Sequence, residues 1–139
     1  MIRHAQQTDW PSIVRLLDQL DYPDTGTFME TRLAQLLSDP AETLLVWEDN
    51  RKILGFLSLH FIPQIALKGD FARISYFSID ETARSKGIGA KLEEHATQLA
   101  REKDCGLIEV HCHTRREKAH AFYFRQGYEE SPKYLVKRL

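Results

Sequence analysis

The sequence is poor in cysteine and has no excess of either charge. Its two cysteines, Cys105 and Cys112, are too few for a disulfide framework and match neither common zinc spacing. Lysine and arginine total 19 against 20 aspartates and glutamates, so no overall positive field favours nucleic acid as a partner. The composition therefore argues against a disulfide-stapled domain, a zinc finger and a strongly basic nucleic-acid-binding protein.

Long apolar runs, repeats and flexible linkers are also missing. No apolar stretch approaches the length of a membrane span, and the first residues lack the basic-then-apolar order of a secretory signal. No Gly/Ser/Pro-rich segment divides the chain, and 42% of its 139 residues are hydrophobic, enough for a substantial core. We expect one domain over residues 1–139, located in the cytoplasm, with no membrane partner.

Hydrophobic periodicity predicts alternating strands and helices, which indicates an α/β fold. Strands are predicted at 2–5, 43–47, 52–61, 71–79, 107–112 and 133–137. Helices are predicted from an N-cap at Thr8 to about Leu20, from Phe28 to just before Asp39, from the Gly89 region to a stop at Gly106, and at 117–126. The polar segment 48–51 between two β-prone runs predicts a hairpin.

The segment 84–89, Arg-Ser-Lys-Gly-Ile-Gly, joins a predicted strand to a predicted helix. Gly87 and Gly89 permit backbone conformations and close approaches that a Cβ would obstruct, so successive N–H groups could turn toward one anion. The helix N-terminus also favours negative charge, and Arg84 and Lys86 add cationic donors. Nucleotide P-loop spacing is absent, and Leu92 stands where a dinucleotide fingerprint needs a small residue. The alternative is an ordinary glycine-containing turn with solvated basic residues.

A second motif lies about thirty residues later. It reads Arg116-x-x-Ala119-His120-x-Phe122-Tyr123-x-x-x-Gly127-Tyr128. With the segment 84–89 and the order of elements, it resembles the GNAT superfamily of acetyl-CoA-dependent N-acetyltransferases over nearly the whole chain. Within that superfamily, the segments 20–23, 55–60 and 128–139 resemble aminoalkylphosphonate and aminoglycoside-type small-molecule acetyltransferases.

The resemblance implies a mixed, mostly antiparallel sheet flanked by helices, whose fourth and fifth strands splay apart to admit the pantetheine arm of acetyl-CoA. Backbone groups near Phe77 and Ile79 would bind the pantetheine amides. The pyrophosphate would be held at the predicted cradle. Its residues are Arg84, Ser85, Lys86, Gly87, Ile88, Gly89 and Ala90.

The same resemblance makes Tyr123 the expected general acid for the departing thiolate, although an aromatic side chain in a helix also serves packing. The carboxylate that relatives often carry on the fourth strand is missing, because this chain reads Ile-Ser-Tyr-Phe at 74–77. His111 is a candidate base from the fifth strand, with a solvated strand face as the alternative. His111 and His113 lack a convincing third ligand, so we assign no metal.

The acceptor is expected to be an amine that enters beside the first two helices, with Tyr22, Phe28 and Tyr76 in contact with it. Acidic residues there could attract a cation or could be solvated helix caps. These are Asp18, Asp21, Asp24 and Glu30. A small primary amine is the expected acceptor; a protein acceptor and a non-catalytic acyl-CoA sensor remain alternatives. A homodimer is expected by resemblance alone.

Overall fold

The structure, a computed structural model, describes residues 1–111, 116–131 and 135–139. The strands are β1 (Ile2–His4), β2 (Glu42–Asp49), β3 (Lys52–Ile62), β4 (Phe71–Ile79) and β5 (Leu107–Val110). The helices are α1 (Trp10–Gln19), α2 (Met29–Ser38), α3 (Ile88–Glu102) and α4 (Glu117–Arg125). None of these described helices combines the length and apolar character needed to cross a membrane.

The strands form one sheet in chain order, β1-β2-β3-β4-β5. Every neighbouring pair is antiparallel except β4 and β5, which are parallel and connected through α3. A parallel pair needs such a crossover, whereas β2 and β3 turn directly through Asn50 and Arg51, both in the left-handed conformation. The predicted α/β fold with a mixed, mostly antiparallel sheet is confirmed.

Alternation along the strands sends apolar side chains to both faces of the sheet. Leu44 and Val46 of β2 face a cluster that includes Leu16 of α1 and Leu33 of α2. Leu45, between them, faces a second cluster beneath α3. The sheet is therefore covered by α1 and α2 on one face and by α3 on the other.

Strand β4 contains a bulge at Ser75. Ser58 of β3 pairs with Tyr76 and Leu59 pairs with Ile74, so Ser75 has no partner on β3. The pairing of β4 with β5 runs from Phe71 and stops at the Ile74–Val110 pair, directly before this bulge. An inserted residue bends and twists its strand. Beyond Ser75, the outer edge of β4 is left without a strand partner among the described residues.

Some predicted boundaries were wrong. Thr8 lies in a 3-10 turn over Gln7–Asp9, because the Asp9 side chain accepts a hydrogen bond from Gln6 N and closes that turn. α1 therefore begins later, at Trp10. α3 ends at Glu102, before Gly106, and Asp104 takes the left-handed conformation that ends the helix.

Two predictions lie partly outside the described residues. β5 ends at Val110, and Cys112, at the end of the strand predicted over 107–112, lies outside the described residues. Positions 133 and 134 of the last predicted strand also lie outside the described residues, and residues 135–139 are not in a strand.

Candidate active site

The segment between β4 and α3 forms a concave turn of backbone. Ser85 has a φ of 64° and Gly87 a φ of 81°, both in the left-handed region, and α3 begins at Ile88. Alternating left-handed residues turn consecutive N–H groups toward one side, at the positive end of the helix dipole. A Cβ at Gly87 would be strained by φ alone, whereas one at Gly89 would meet Phe122 at an ordinary 3.4 Å. The backbone can therefore hold an anion at this turn.

Helix α1 holds the end of β4 in place. Ser78 Oγ donates a hydrogen bond to the carbonyl of Leu16 over 3.1 Å, and Glu81 N donates to Gln19 Oε1 over 2.9 Å. Arg15 forms an ion pair with the buried Asp80 and also donates to the Ile53 carbonyl. The α1–β4 clamp, formed by these contacts, fixes the start of the anion-holding turn relative to α1.

Asp80 also organises the chain directly before the turn. Its Oδ1 accepts hydrogen bonds from Thr82 N at 2.9 Å and from Thr82 Oγ1 at 2.6 Å. These hydrogen bonds, with Arg15, hold the pKa of Asp80 far below its usual value of 3.8 although burial opposes this. Asp80 is therefore a structural carboxylate in its ionised form.

A cleft of about 730 Å³ extends from this turn between β4 and α4. Among the described residues, four basic side chains line it, against one acidic side chain, Asp21. The basic residues are Arg84, Arg116, Lys118 and Arg125. Arg84 Nε donates to the Ile79 carbonyl over 3.1 Å, which leaves that oxygen a second lone pair. The large cleft, as we call it, is suited in size and charge to an extended polyanion.

A second cavity, of about 40 Å³, lies where β4 and β5 stop pairing. The small cavity, as we call it, is lined by His111 and Tyr123 together with the Tyr22 and Tyr76 rings, whose centroids lie 5.2 Å apart at 83°. Four of the residues that the structure describes line both spaces and therefore mark the junction between them. They are Leu20, Phe77, Arg116 and Tyr123.

Aromatic packing positions Tyr123 at that junction. Its ring makes edge-to-face contacts with Phe77, Phe122 and Tyr128, at centroid distances of 6.4, 5.3 and 5.3 Å. Tyr128 in turn donates its hydroxyl to Glu93 Oε1 over 3.1 Å. Burial, followed by the Glu93 carboxylate, raises the pKa of Tyr128 far above its usual 10.0, so its phenol stays protonated.

Most sequence-predicted site residues meet at these two spaces. The large cleft is lined by Phe77, Ile79, Arg84, Ser85, Gly87, Ile88, Gly89 and Ala90. The small cavity is lined by Tyr22, Tyr76, His111 and Tyr123. Lys86 and Phe28 line neither space, and Phe28 instead packs under the Arg32 guanidinium.

The acidic residues named as a possible attraction for a cation lie mostly away from the two spaces. Of these four residues, only Asp21 lines either space. Sequence reasoning missed the contribution of α4, because Lys118 and Arg125 look like solvated charges until the helix is placed beside β4. Arg116 stood in the quoted motif, but nothing in its spacing indicated that it reaches both spaces.

Metal binding finds no support in the described part of the chain. No group of three or more His, Cys, Asp or Glu residues there could hold a metal ion. His113, considered with His111 as a metal pair, lies outside the described residues. His111 itself lines the small cavity, and it has interactions with its surroundings.

Solved structures share the whole fold. A transcriptional regulator from Bacillus halodurans C-125 superposes with a TM-score of 0.91 at 24% identity, covering 100% of this chain and 99% of that one. An aminoglycoside acetyltransferase from an uncultured soil metagenomic sample, in complex with sisomicin, gives 0.83 at 22% identity, covering 100% and 95%. At such identities these similarities establish the fold.

Sequence comparison identifies the family. An aminoalkylphosphonate N-acetyltransferase from Salmonella typhimurium is 29% identical over 135 residues, 94% of this chain and 85% of that protein. An uncharacterized N-acetyltransferase from Bacillus subtilis is 25% identical over 138 residues, 93% of this chain and 89% of that protein. The model of the acetyltransferase (GNAT) family matches residues 2–128. The chain therefore belongs to the GNAT family and is an acetyl-CoA-dependent acetyltransferase that acts on an amine.

Proposed function

We propose that this enzyme transfers an acetyl group from acetyl-CoA directly to the primary amine of a small molecule. One observation carries the proposal: the edge of β4 that has no strand partner among the described residues leads from the Ser75 bulge into the anion-holding turn, and Tyr123 stands where the two spaces meet. The aminoalkylphosphonate N-acetyltransferase relative supports a small acceptor.

Acetyl-CoA would lie in the large cleft. Backbone groups of Phe77 and Ile79 on the unpaired edge would bind the pantetheine amides, and the N–H groups of residues 85–90 would bind the pyrophosphate. Arg84, with Lys118 and Arg125 from α4, would face the phosphates from the walls of the cleft. Each hydrogen bond to a charged group contributes about 1.5–3 kcal/mol, so several converging donors suffice without a metal.

Direct transfer requires a neutral amine, and keeping a lysine-like amine with a pKa of about 10.4 neutral at pH 7 costs roughly 4.6 kcal/mol. Enclosure in the small cavity lowers the amine pKa by desolvation and reduces this cost. His111 would take the proton that the nitrogen loses when the new C–N bond forms. Tyr123 would give its phenolic proton to the sulfur as the C–S bond breaks.

A small acceptor is favoured over a protein by the shape of the acceptor side. The small cavity holds only about 40 Å³, and the edge-to-face pair of Tyr22 and Tyr76 forms one of its walls. A protein acceptor would require a long open groove on this side. The cavity instead accommodates one amine end with a short alkyl segment.

The test is a broad panel of amines and peptides incubated with acetyl-CoA, with acetylation read by mass and thiol release followed in parallel. Acetylation of small primary amines with stoichiometric thiol release supports the proposal. Acetylation of peptides but not of small amines would show that the acceptor is a protein. Tight acetyl-CoA binding without any acceptor-dependent thiol release would identify a sensor and overturn the proposal.

We also propose that the chain forms a homodimer. Three apolar side chains near its end are exposed, namely Leu135, Val136 and Leu139. The outer edge of β5 has no strand partner among the described residues. Pairing of two copies through this edge would give β5 a strand partner, and burial of the apolar side chains against the second copy would stabilise the dimer. A monomer mass by light scattering at micromolar concentration would contradict this assembly.

A further inference from the structure

Arg116 is a cation at the entrance of the acceptor site that none of the described residues neutralises. It lines both the small cavity and the large cleft, at the start of α4. Within the described ranges, no hydrogen bond or ion pair engages its guanidinium group. Two other arginines close to the sheet are paired: Arg73 with Glu109, and Arg15 with Asp80. Arg116 is therefore available to a ligand.

The small cavity has no carboxylate in its described lining that would attract a second positive charge. That lining consists of Leu20, Tyr22, Ile74, Ser75, Tyr76, Phe77, Val110, His111, Arg116 and Tyr123. Glu109, an acidic residue on β5, accepts a 2.6 Å hydrogen bond from Arg73 Nε. Asp21 lines the large cleft but not the small cavity. A polycationic amine would have no counter-charge from these residues.

The size of the small cavity indicates where the rest of the acceptor lies. A space of about 40 Å³ admits an amine end but not a whole metabolite. The remainder must extend past the lining residues that reach the surface. Among these are Arg116, Tyr22 and Tyr76, which are all exposed. An anionic group there would gain a charge-assisted hydrogen bond from Arg116, in bidentate form if it presents two oxygens.

We propose that the acceptor is a small amine that also carries an anionic group, and that Arg116 recognises that group and sets acceptor specificity. This inference rests on the proposed amine acetylation. It separates the described site from one for polycationic aminoglycosides. The anionic group of the acceptor can be a carboxylate, a phosphate or a phosphonate, because all three share the negative charge and the acceptor oxygens that a guanidinium group binds.

The test uses a matched series of aminopropyl compounds that end in a phosphonate, a carboxylate, a hydroxymethyl or an aminomethyl group. With wild-type enzyme, kcat/KM for the anionic compounds should exceed that for the hydroxymethyl compound by about 10- to 100-fold, and the aminomethyl compound should be poorest. The ratio between phosphonate and carboxylate identifies which anion the site prefers.

Arg116→Gln should reduce that preference to about threefold or less by raising the acceptor KM, with the KM for acetyl-CoA unchanged. Arg116→Lys keeps the charge without the planar fork and should restore part of the preference. The matched control is Lys118→Gln, because Lys118 lines the large cleft but not the small cavity. It should raise the KM for acetyl-CoA and leave the preference for anionic acceptors intact.

Two results would overturn the inference while the proposed function stands: equal turnover of all four compounds by wild-type enzyme, or an Arg116→Gln defect confined to the acetyl-CoA KM. The second result would mean that Arg116 binds acetyl-CoA and not the acceptor. If no amine of any kind elicits thiol release although acetyl-CoA binds, the proposed function fails, and this inference fails with it.

Discussion

Edge-to-face ring contacts hold Tyr123 in place. Phe77, Phe122 and Tyr128 contact it edge-to-face, and Tyr128 is itself tied to Glu93. Such contacts restrict the ring to a narrow range of orientations, at the junction of the two spaces. Removal of the hydroxyl alone should therefore affect chemistry without disturbing the packing.

Tyr123→Phe is expected to lower kcat by about 100-fold or more, because a positioned general acid contributes about 10²–10⁴-fold. Acetyl-CoA affinity by calorimetry should stay within about threefold of wild type. A variant with unchanged kcat would mean that another group, or water, protonates the thiolate.

His111→Gln is expected to lower kcat/KM for the amine by about 100-fold at neutral pH if His111 accepts the amine proton. The defect should shrink as the pH is raised, because hydroxide in the solvent can then accept the proton that the nitrogen loses when the C–N bond forms. The control is Glu109→Gln, which changes a residue of β5 close to His111 but lines neither space. A His111→Gln defect that is constant across pH would indicate a packing role.

The turn between β4 and α3 depends on one left-handed glycine, Gly87. Gly87→Ala places a Cβ at a φ of 81° and should lower the free energy of unfolding by about 1 kcal/mol. It should also weaken acetyl-CoA binding at least tenfold, because relief of the strain rotates the N–H groups. Calorimetry and urea denaturation measure the two effects.

Gly106→Ala is the control for that substitution. A Cβ at Gly106 meets nothing within 4 Å, and the residue lies between α3 and β5, away from the turn. Its effect on stability should be small, and acetyl-CoA affinity should not change. A Gly87→Ala variant that loses stability but keeps its affinity would show that the pyrophosphate binds elsewhere.

The α1–β4 clamp predicts a specific sensitivity to acid. The pKa of Asp80 is lower in the folded chain than its usual 3.8, so its contribution to stability is complete well above that value and is lost as the pH falls below it. Asp80→Asn should cost about 1–3 kcal/mol at pH 7, less than a fully buried pair because the Arg15 side chain is 37% exposed.

Denaturation of both proteins from about pH 7 to pH 3 measures this dependence. The difference in unfolding free energy between wild type and Asp80→Asn should narrow as the pH falls, because the variant lacks the group that titrates. A difference that stays constant over this range would show that the Asp80 charge does not stabilise the fold.

Over the whole chain, the sequence predicted the features that depend on local pattern. The bounds of β4 were predicted correctly because apolar, β-prone residues end at Ile79, directly before the polar turn. The start of α3 was indicated by the spacing of Ile88, Leu92 and Ala96. The pairing of Arg15 with Asp80 could not be predicted, because 65 residues separate them. The reach of Arg116 depends likewise on how α4 packs beside β4.

We propose that residues 1–139 form one domain that unfolds cooperatively. The effect of acetyl-CoA on thermal unfolding tests this. Ligand at about 100 times its Kd should stabilise the folded state by about 2.7 kcal/mol. Calorimetry should show one transition that moves upward as a whole. Two transitions, of which only one responds to the ligand, would contradict the single unit.

The bulge at Ser75 determines whether the space between β4 and β5 stays open. Since Ser75 and Tyr76 together oppose one residue of β3, excision of Ser75 would leave Tyr76 and Phe77 on their present faces. The chain after Val110 could then continue to pair with β4, and this pairing would close the space between the two strands. If acetyl-CoA binds as we propose, deletion of this one residue would give a folded protein that cannot admit its acyl donor.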